Sequence, residues 1–99
     1  MWMFTMFDLP VTTNGQRKKA TRFRNHLLDL GFEMVQFSVY ARYCFAKERA
    51  EALVPKIRAK VPDEGKVKII TITDKQFANI VHLGTGGEKP APRGQLTLF

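Results

Sequence analysis

The chain has 99 residues, enough for one domain whose core can support independent folding but leaves little surface to spare. Sixteen Lys and Arg against nine Asp and Glu leave a formal net charge of +7. That excess points to a polyanion, and with no apolar stretch of spanning length, nucleic acid outranks a membrane as the partner.

The first seven residues, Met1-Trp2-Met3-Phe4-Thr5-Met6-Phe7, carry no charge and predict a buried strand over 2–7. They lack a basic leader and a small-residue cleavage site, so they are not expected to be a signal peptide. Asp8 ends the run. A carboxylate at the carboxyl end of a strand sits where open sheets commonly present ligand groups. Leu9 precedes Pro10 and is therefore biased away from helix, which keeps the exit extended.

Thr13-Asn14-Gly15-Gln16 has the spacing of a capping box, and Gly31 suits the position just past a helix end. Between them Ala20, Phe23, Leu27 and Leu30 recur at helical spacing on one narrow face. Lys18 and Arg22 point away from that face, and Arg17 and Arg24 flank it. Residues 16–30 hold five basic side chains, Arg17, Lys18, Lys19, Arg22 and Arg24, against one acid, Asp29.

Residues 32–45 alternate with period two, giving a strand, a turn at Ala41-Arg42 and a short returning strand through Tyr43-Cys44-Phe45. Cys44 is expected to be buried there. As the only cysteine it excludes an intrachain disulfide or a cysteine-based metal cage, and it favours a reducing cytoplasm. A second helix over 47–60 buries Ala50, Leu53, Val54 and Ile57, with a bend expected near 51–53 because Pro55 lies inside it. Pro62-Asp63-Glu64-Gly65 is a turn and residues 66–73 form a strand. Phe77 to Leu83 is a strand or a short helix, and Ile80 and Val81 favour the strand.

The domain is thus expected over 1–83. A Gly- and Pro-bearing linker over 84–94 follows, and then a strand over 95–99 (Gln95-Leu96-Thr97-Leu98-Phe99) that adds to its own sheet or a partner's. The order strand, helix, strand, strand, helix, strand is the α+β, ferredoxin-like βαββαβ pattern. It has one antiparallel sheet with both helices on one face, and here an extra C-terminal strand. That fold hosts many functions, so the site must decide.

Three segments carry a resemblance: Met6-Phe7-Asp8-Leu9-Pro10 with the basic helix after it, Val35-Gln36-Phe37-Ser38-Val39-Tyr40, and Ile70-Thr71-Ile72-Thr73-Asp74-Lys75-Gln76-Phe77-Ala78-Asn79. In this order and spacing they resemble the CRISPR-associated Cas-two family, small adaptation proteins often called endoribonucleases, and most of all its type II variants. The resemblance implies a homodimer with its sheets face to face. It also implies that the Asp after the first strand, here Asp8, reaches the dimer axis from each subunit and can hold magnesium or manganese. The implied partners are the CRISPR integrase subunit and double-stranded DNA, with bridging of integrase subunits during spacer acquisition. Nuclease activity on RNA or double-stranded DNA belongs to some members of the family.

Chemically, Asp8 alone holds magnesium weakly, because that ion takes one or two carboxylates plus waters and substrate phosphate. Two copies across a two-fold axis would suffice, giving a metal-dependent phosphodiester hydrolase in which Asp8 is both catalytic residue and metal ligand. The structural alternative is that Asp8 accepts hydrogen bonds from backbone amides of the Leu9-Pro10 turn. Arg17, Lys18, Lys19, Arg22 and Arg24, extended by Arg42 at the hairpin turn, are the candidate nucleic-acid contacts, and the alternative is a solvated helix face. Ser38 is a candidate for positioning phosphate or water. Tyr40, on the same face in this reading, is better explained by packing. His26 is expected on the outer side of the first helix, as a surface residue or phosphate contact, and His82 as a structural residue of a late strand.

Two readings compete with this one. A ferredoxin-like RNA-binding module would need sheet aromatics such as Phe4, Phe37 and Tyr40 exposed for base stacking. A toxin-type ribonuclease of the virulence-associated D family is the other.

Overall fold

The computed structural model describes residues 1–84; the terminal strand expected over 95–99 and all but the first residue of the expected linker lie outside them. The elements are β1 (Trp2–Asp8), α1 (Asn14–Asp29), β2 (Glu33–Gln36), β3 (Val39–Tyr43), α2 (Lys47–Arg58), β4 (Lys66–Ile72) and α3 (Asp74–Ala78). The strands form one antiparallel sheet in the order β2-β3-β1-β4, the ferredoxin-like arrangement with a short third helix appended.

Alternation along β1 divides the sheet into two faces. Met3, Thr5 and Phe7 point to the helices, and Met3 and Phe7 share one core with Phe23 and Leu27 of α1 and Ala50, Leu53 and Ile57 of α2. Leu27 is fully buried and Phe23 nearly so. Burial of each such side chain contributes about 1.5–3 kcal/mol, which is what fixes α1 on this face. Trp2, Phe4, Met6 and Asp8 point the other way. There α3 covers only the Trp2 end, with Phe77 stacked on the indole at 4.0 Å between ring centroids.

Local chemistry sets the helix ends. Thr13 and Gln16 form the complete capping box of α1. At its other end Gly31 takes φ +87°, its N–H donates to Leu28, and the Phe32 N–H donates to Leu27. That is a Schellman stop, and glycine is favoured there because a Cβ is strained at positive φ. Pro62 to Gly65 turns as expected, with the Gly65 N–H on the Pro62 carbonyl at 3.1 Å. α2 continues through Pro55 without splitting. Proline there removes only the donation to the Glu51 carbonyl, and burial of Leu53 and Ile57 on either side holds the helix in place.

Two expectations need correction. The hairpin turns at Phe37-Ser38, between Gln36 and its partner Val39, and not at Ala41-Arg42. Ser38 supplies the left-handed backbone, φ +63°, that the turn needs without a glycine, so no composition signal marks it. The stretch after Asp74 is helical over Asp74–Ala78 and forms no strand through Leu83. Thr73 and Gln76 make a second capping box there, and this local bonding outweighs the β preference of Ile80 and Val81.

Candidate metal and nucleic-acid site

Asp8 is the last residue of β1, exposed, on the face that the helices leave open. Among the described residues its carboxylate makes no hydrogen bond and no ion pair, so it does not cap the Leu9-Pro10 turn. The backbone around it is nevertheless firmly held. Leu9 packs directly over Gly65, where any Cβ would collide with its Cδ2. Gln16 Nε2 donates to Glu64 Oε2 at 2.9 Å, fastening the first turn of α1 to the same Pro62–Gly65 turn. The β1 exit and the start of β4 therefore form one clamped corner.

On the other flank of β1 the Phe7 N–H donates to the Ser38 carbonyl at 3.0 Å. Ser38 lies in the turn beside the Asp8 end of β1, but it is the Ser38 backbone that makes this link. Tyr40 points to the helix side, buried in the core against Phe7 at 5.6 Å between ring centroids. It does not share the open face with Asp8. Phe37, at the tip of the turn, is 90% exposed.

One exposed carboxylate is a hard oxygen donor of the kind magnesium or manganese takes. Glu64, also at this corner, is bonded to Gln16 on the α1 side, and among the described residues no group of three His, Cys, Asp or Glu side chains converges. The donor set fits a divalent ion only when a second Asp8 joins the first.

The basic helix lies on the opposite side of the sheet. Lys18, Lys19 and Arg22 are exposed on its outer surface. A shallow depression of about 310 Å³ runs between Arg17, Lys18, Thr21, Arg22 and Asn25. Arg17 folds back along the helix start, donating to the Val11 carbonyl at 3.0 Å, the Thr12 carbonyl at 3.3 Å and Asn14 Oδ1. Arg24 is half-buried and donates to Thr21 Oγ1 at 3.1 Å. Lys18, Lys19 and Arg22 are therefore the cations of this set that make no hydrogen bond or ion pair among the described residues.

Arg42 is not at a turn and does not extend this patch. It sits within β3 opposite Met3, half-buried, and donates to the Leu30 carbonyl at 2.9 Å. A guanidinium at the carboxyl end of α1 satisfies an orphan carbonyl and complements the helix dipole. His26 likewise turns inward, with Nε2 2.8 Å from the Lys56 carbonyl of α2. His82 lies beyond α3, outside any strand.

Two residues escaped the sequence reading. Asp8 pairs in register with Lys66, and Met6 with Lys68, so both lysines share the open face with the carboxylate. Their alternation with Val67 and Ile69 was visible in the sequence. The register that sets them beside Asp8 was not.

The family model described as CRISPR associated protein Cas2 matches residues 1–80. A protein of Paracidovorax avenae named CRISPR-associated endoribonuclease Cas2 is 45% identical, with 100% of this chain and 94% of that one aligned. One of the same name from Flavobacterium psychrophilum is 44% identical over 100% of this chain and 88% of its own. The crystal structure of Streptococcus pyogenes Cas2 superposes with a TM-score of 0.66 at 14% identity, covering 85% of this chain and all of the other, and so supports the fold alone. No helix among the described residues is long and apolar enough to cross a membrane. With a family model spanning residues 1–80 and relatives this similar over the whole of this chain, the chain belongs to the CRISPR associated protein Cas2 family.

Proposed function

We propose that this chain works as a homodimer in CRISPR adaptation, with paired Asp8 carboxylates forming a metal-dependent phosphodiesterase centre and the two α1 helices binding duplex backbone. The observation that carries the reading is the open sheet face: Phe4, Met6 and Val39 are half-buried, Ile70 is exposed, and Asp8 stands unpaired at its end. An apolar sheet face with so little cover is a surface that a second copy would bury. Pairing two such faces would also bring a second carboxylate to the first.

In that dimer the chain's residues divide the work. The Asp8 pair holds magnesium or manganese, which when bound supplies an activated water and neutralises charge at the scissile phosphate. Leu9, Gly65 and the Gln16–Glu64 bond fix the corner, so each carboxylate is presented without backbone rearrangement. Lys18, Lys19 and Arg22 project into solvent from each subunit and contact phosphates rather than bases, giving affinity that follows charge and duplex shape. The dimer then bridges integrase subunits, with RNA or duplex DNA as the cleavable substrate. The relatives' name, endoribonuclease, favours RNA for the hydrolytic activity.

Sedimentation velocity on the wild type and an Ile70→Glu variant tests the dimer. The wild type is expected to sediment as a dimer and the variant as a folded monomer that has lost magnesium-dependent cleavage of RNA or duplex DNA. A wild-type monomer that cleaves at full rate would overturn the reading. A stable complex of dimer, integrase subunit and short duplex formed without metal would rank the scaffold role above the hydrolytic one.

A further inference from the structure

The open face carries positive charge beside Asp8 as well as the carboxylate itself. Along β4 the sequence Lys66-Val67-Lys68-Ile69 sends Val67 and Ile69 into the helix-side core and both lysines to the open side. The register places Lys66 directly across from Asp8 and Lys68 across from Met6. Opposed residues on one face of an antiparallel pair have their Cβ atoms about 4.5–5.5 Å apart. On the open face each chain therefore sets two ammonium groups beside the Asp8 carboxylate, while in the preceding turn Glu64 is bonded to Gln16 of α1 and Asp63 is exposed. Nearer the middle the same face is apolar, through Phe4, Met6, Val39 and Ile70.

When two such faces pack together, as the functional reading above requires and on which this inference rests, the apolar middle is buried and the charged end becomes the rim. There both lysines stay hydrated and can meet an anion that reaches the seam. Asp8 can offset only one of the two on each chain, and less than that while it serves a metal. The remaining positive charge attracts an anion from outside the dimer.

We propose that Lys66 and Lys68 are phosphate-positioning residues of the Asp8 centre, holding the nucleic-acid backbone where it crosses the seam between subunits. A phosphodiester suits this place for two reasons. It is the anion that the basic surface already selects, and its oxygens complete the coordination that a pair of carboxylates leaves open. Lysine suits this task as a flexible point charge that follows a phosphate without fixing its orientation. The clamped Leu9–Gly65 corner keeps the start of β4 and the end of β1 in constant relation, so the lysines and Asp8 act on one phosphate.

The test compares the wild type, a Lys66→Gln/Lys68→Gln variant and a Lys47→Gln/Arg49→Gln variant. The last loses the same charge at the amino end of α2, topologically remote from Asp8. Each is examined by sedimentation for its oligomeric state and by fluorescence anisotropy with a short duplex, in EDTA, over a series of salt concentrations. The β4 variant is expected to remain dimeric, to bind about tenfold more weakly, and to lose about 0.9 from the log–log salt slope for each phosphate contact removed. The α2 variant should keep the wild-type slope, and Lys66→Arg/Lys68→Arg should restore it. A dimeric β4 variant whose slope equals that of the wild type or of the α2 variant overturns the lysine assignment alone. A monomeric wild type overturns the dimer and this inference together.

Discussion

Asp8→Asn separates a ligand from a structural residue, because the structure makes opposite demands in the two cases. The carboxylate makes no hydrogen bond or ion pair among the described residues and is exposed in the single chain. Its replacement should therefore change folding stability by no more than about 0.5 kcal/mol, a shift in Tm of about 2–4 °C for a domain of this size. In the dimer the sign is favourable. Two carboxylates near enough to share a metal, about 5 Å apart, repel by about 0.8 kcal/mol even at the dielectric constant of water. Removing that repulsion should tighten the metal-free dimer roughly fourfold. Magnesium should tighten the wild-type dimer and leave the variant unaffected, while cleavage falls to background. Equilibrium sedimentation with and without magnesium, a thermal melt and a single-turnover cleavage assay read all three quantities. A variant that unfolds with a loss above about 1.5 kcal/mol, or a variant dimer that magnesium still tightens, would refute the reasoning.

Other residues give independent checks. Arg42→Ala should destabilise the fold by about 1–2 kcal/mol in urea denaturation, because the Leu30 carbonyl loses its partner at the end of α1. The same variant should leave the duplex salt slope unchanged, since Arg42 is part of the sheet and not of the basic surface. The hydroxyl of Thr5 is fully buried with no hydrogen-bond partner, so Thr5→Val should stabilise the domain by up to about 1 kcal/mol; a loss of that size would mean the hydroxyl is satisfied. Burial pushes the Cys44 thiol above its ordinary range, so alkylation at pH 8 should follow the unfolded fraction in a urea series. Because the folded state favours the protonated thiol, its contribution is fully present below the ordinary thiol pKa and is lost as pH rises through the folded value. Stability above about pH 9 should accordingly fall more steeply in the wild type than in Cys44→Val.

The fold was legible because its determinants are local and redundant. Period-two runs, a Thr13–Gln16 capping box and a glycine stop each named an element without reference to any other. The misplaced hairpin shows the limit of that logic. Phe37 and Ser38 continue the alternation of their neighbours, and the turn exists only because Ser38 accepts positive φ while its carbonyl takes the Phe7 N–H from β1. Likewise α3, started locally by the Thr73–Gln76 capping box, is held on the sheet by Trp2, seventy-five residues before the Phe77 that stacks on it. In both places a tertiary partner completes what local bonding starts.

The site was legible one residue at a time and illegible as a set. Charge and spacing singled out Asp8 and the α1 cations as candidates, but sequence spacing cannot say that they occupy opposite sides of the sheet. Nor can it say that Arg17 is already committed to the Val11, Thr12 and Asn14 oxygens. The lysines of β4 are fifty-eight and sixty residues from Asp8 and become its neighbours through strand register alone. That register is fixed in turn by burial: Val67 and Ile69 enter the helix-side core, and a slip by one residue would bury Lys66 and Lys68 in their place. Hydrophobic packing behind the sheet thus dictates which charges stand in front of it. Substitutions at Val67 or Ile69 that shift the strand should consequently alter phosphate binding at Asp8 without touching any residue that meets the phosphate.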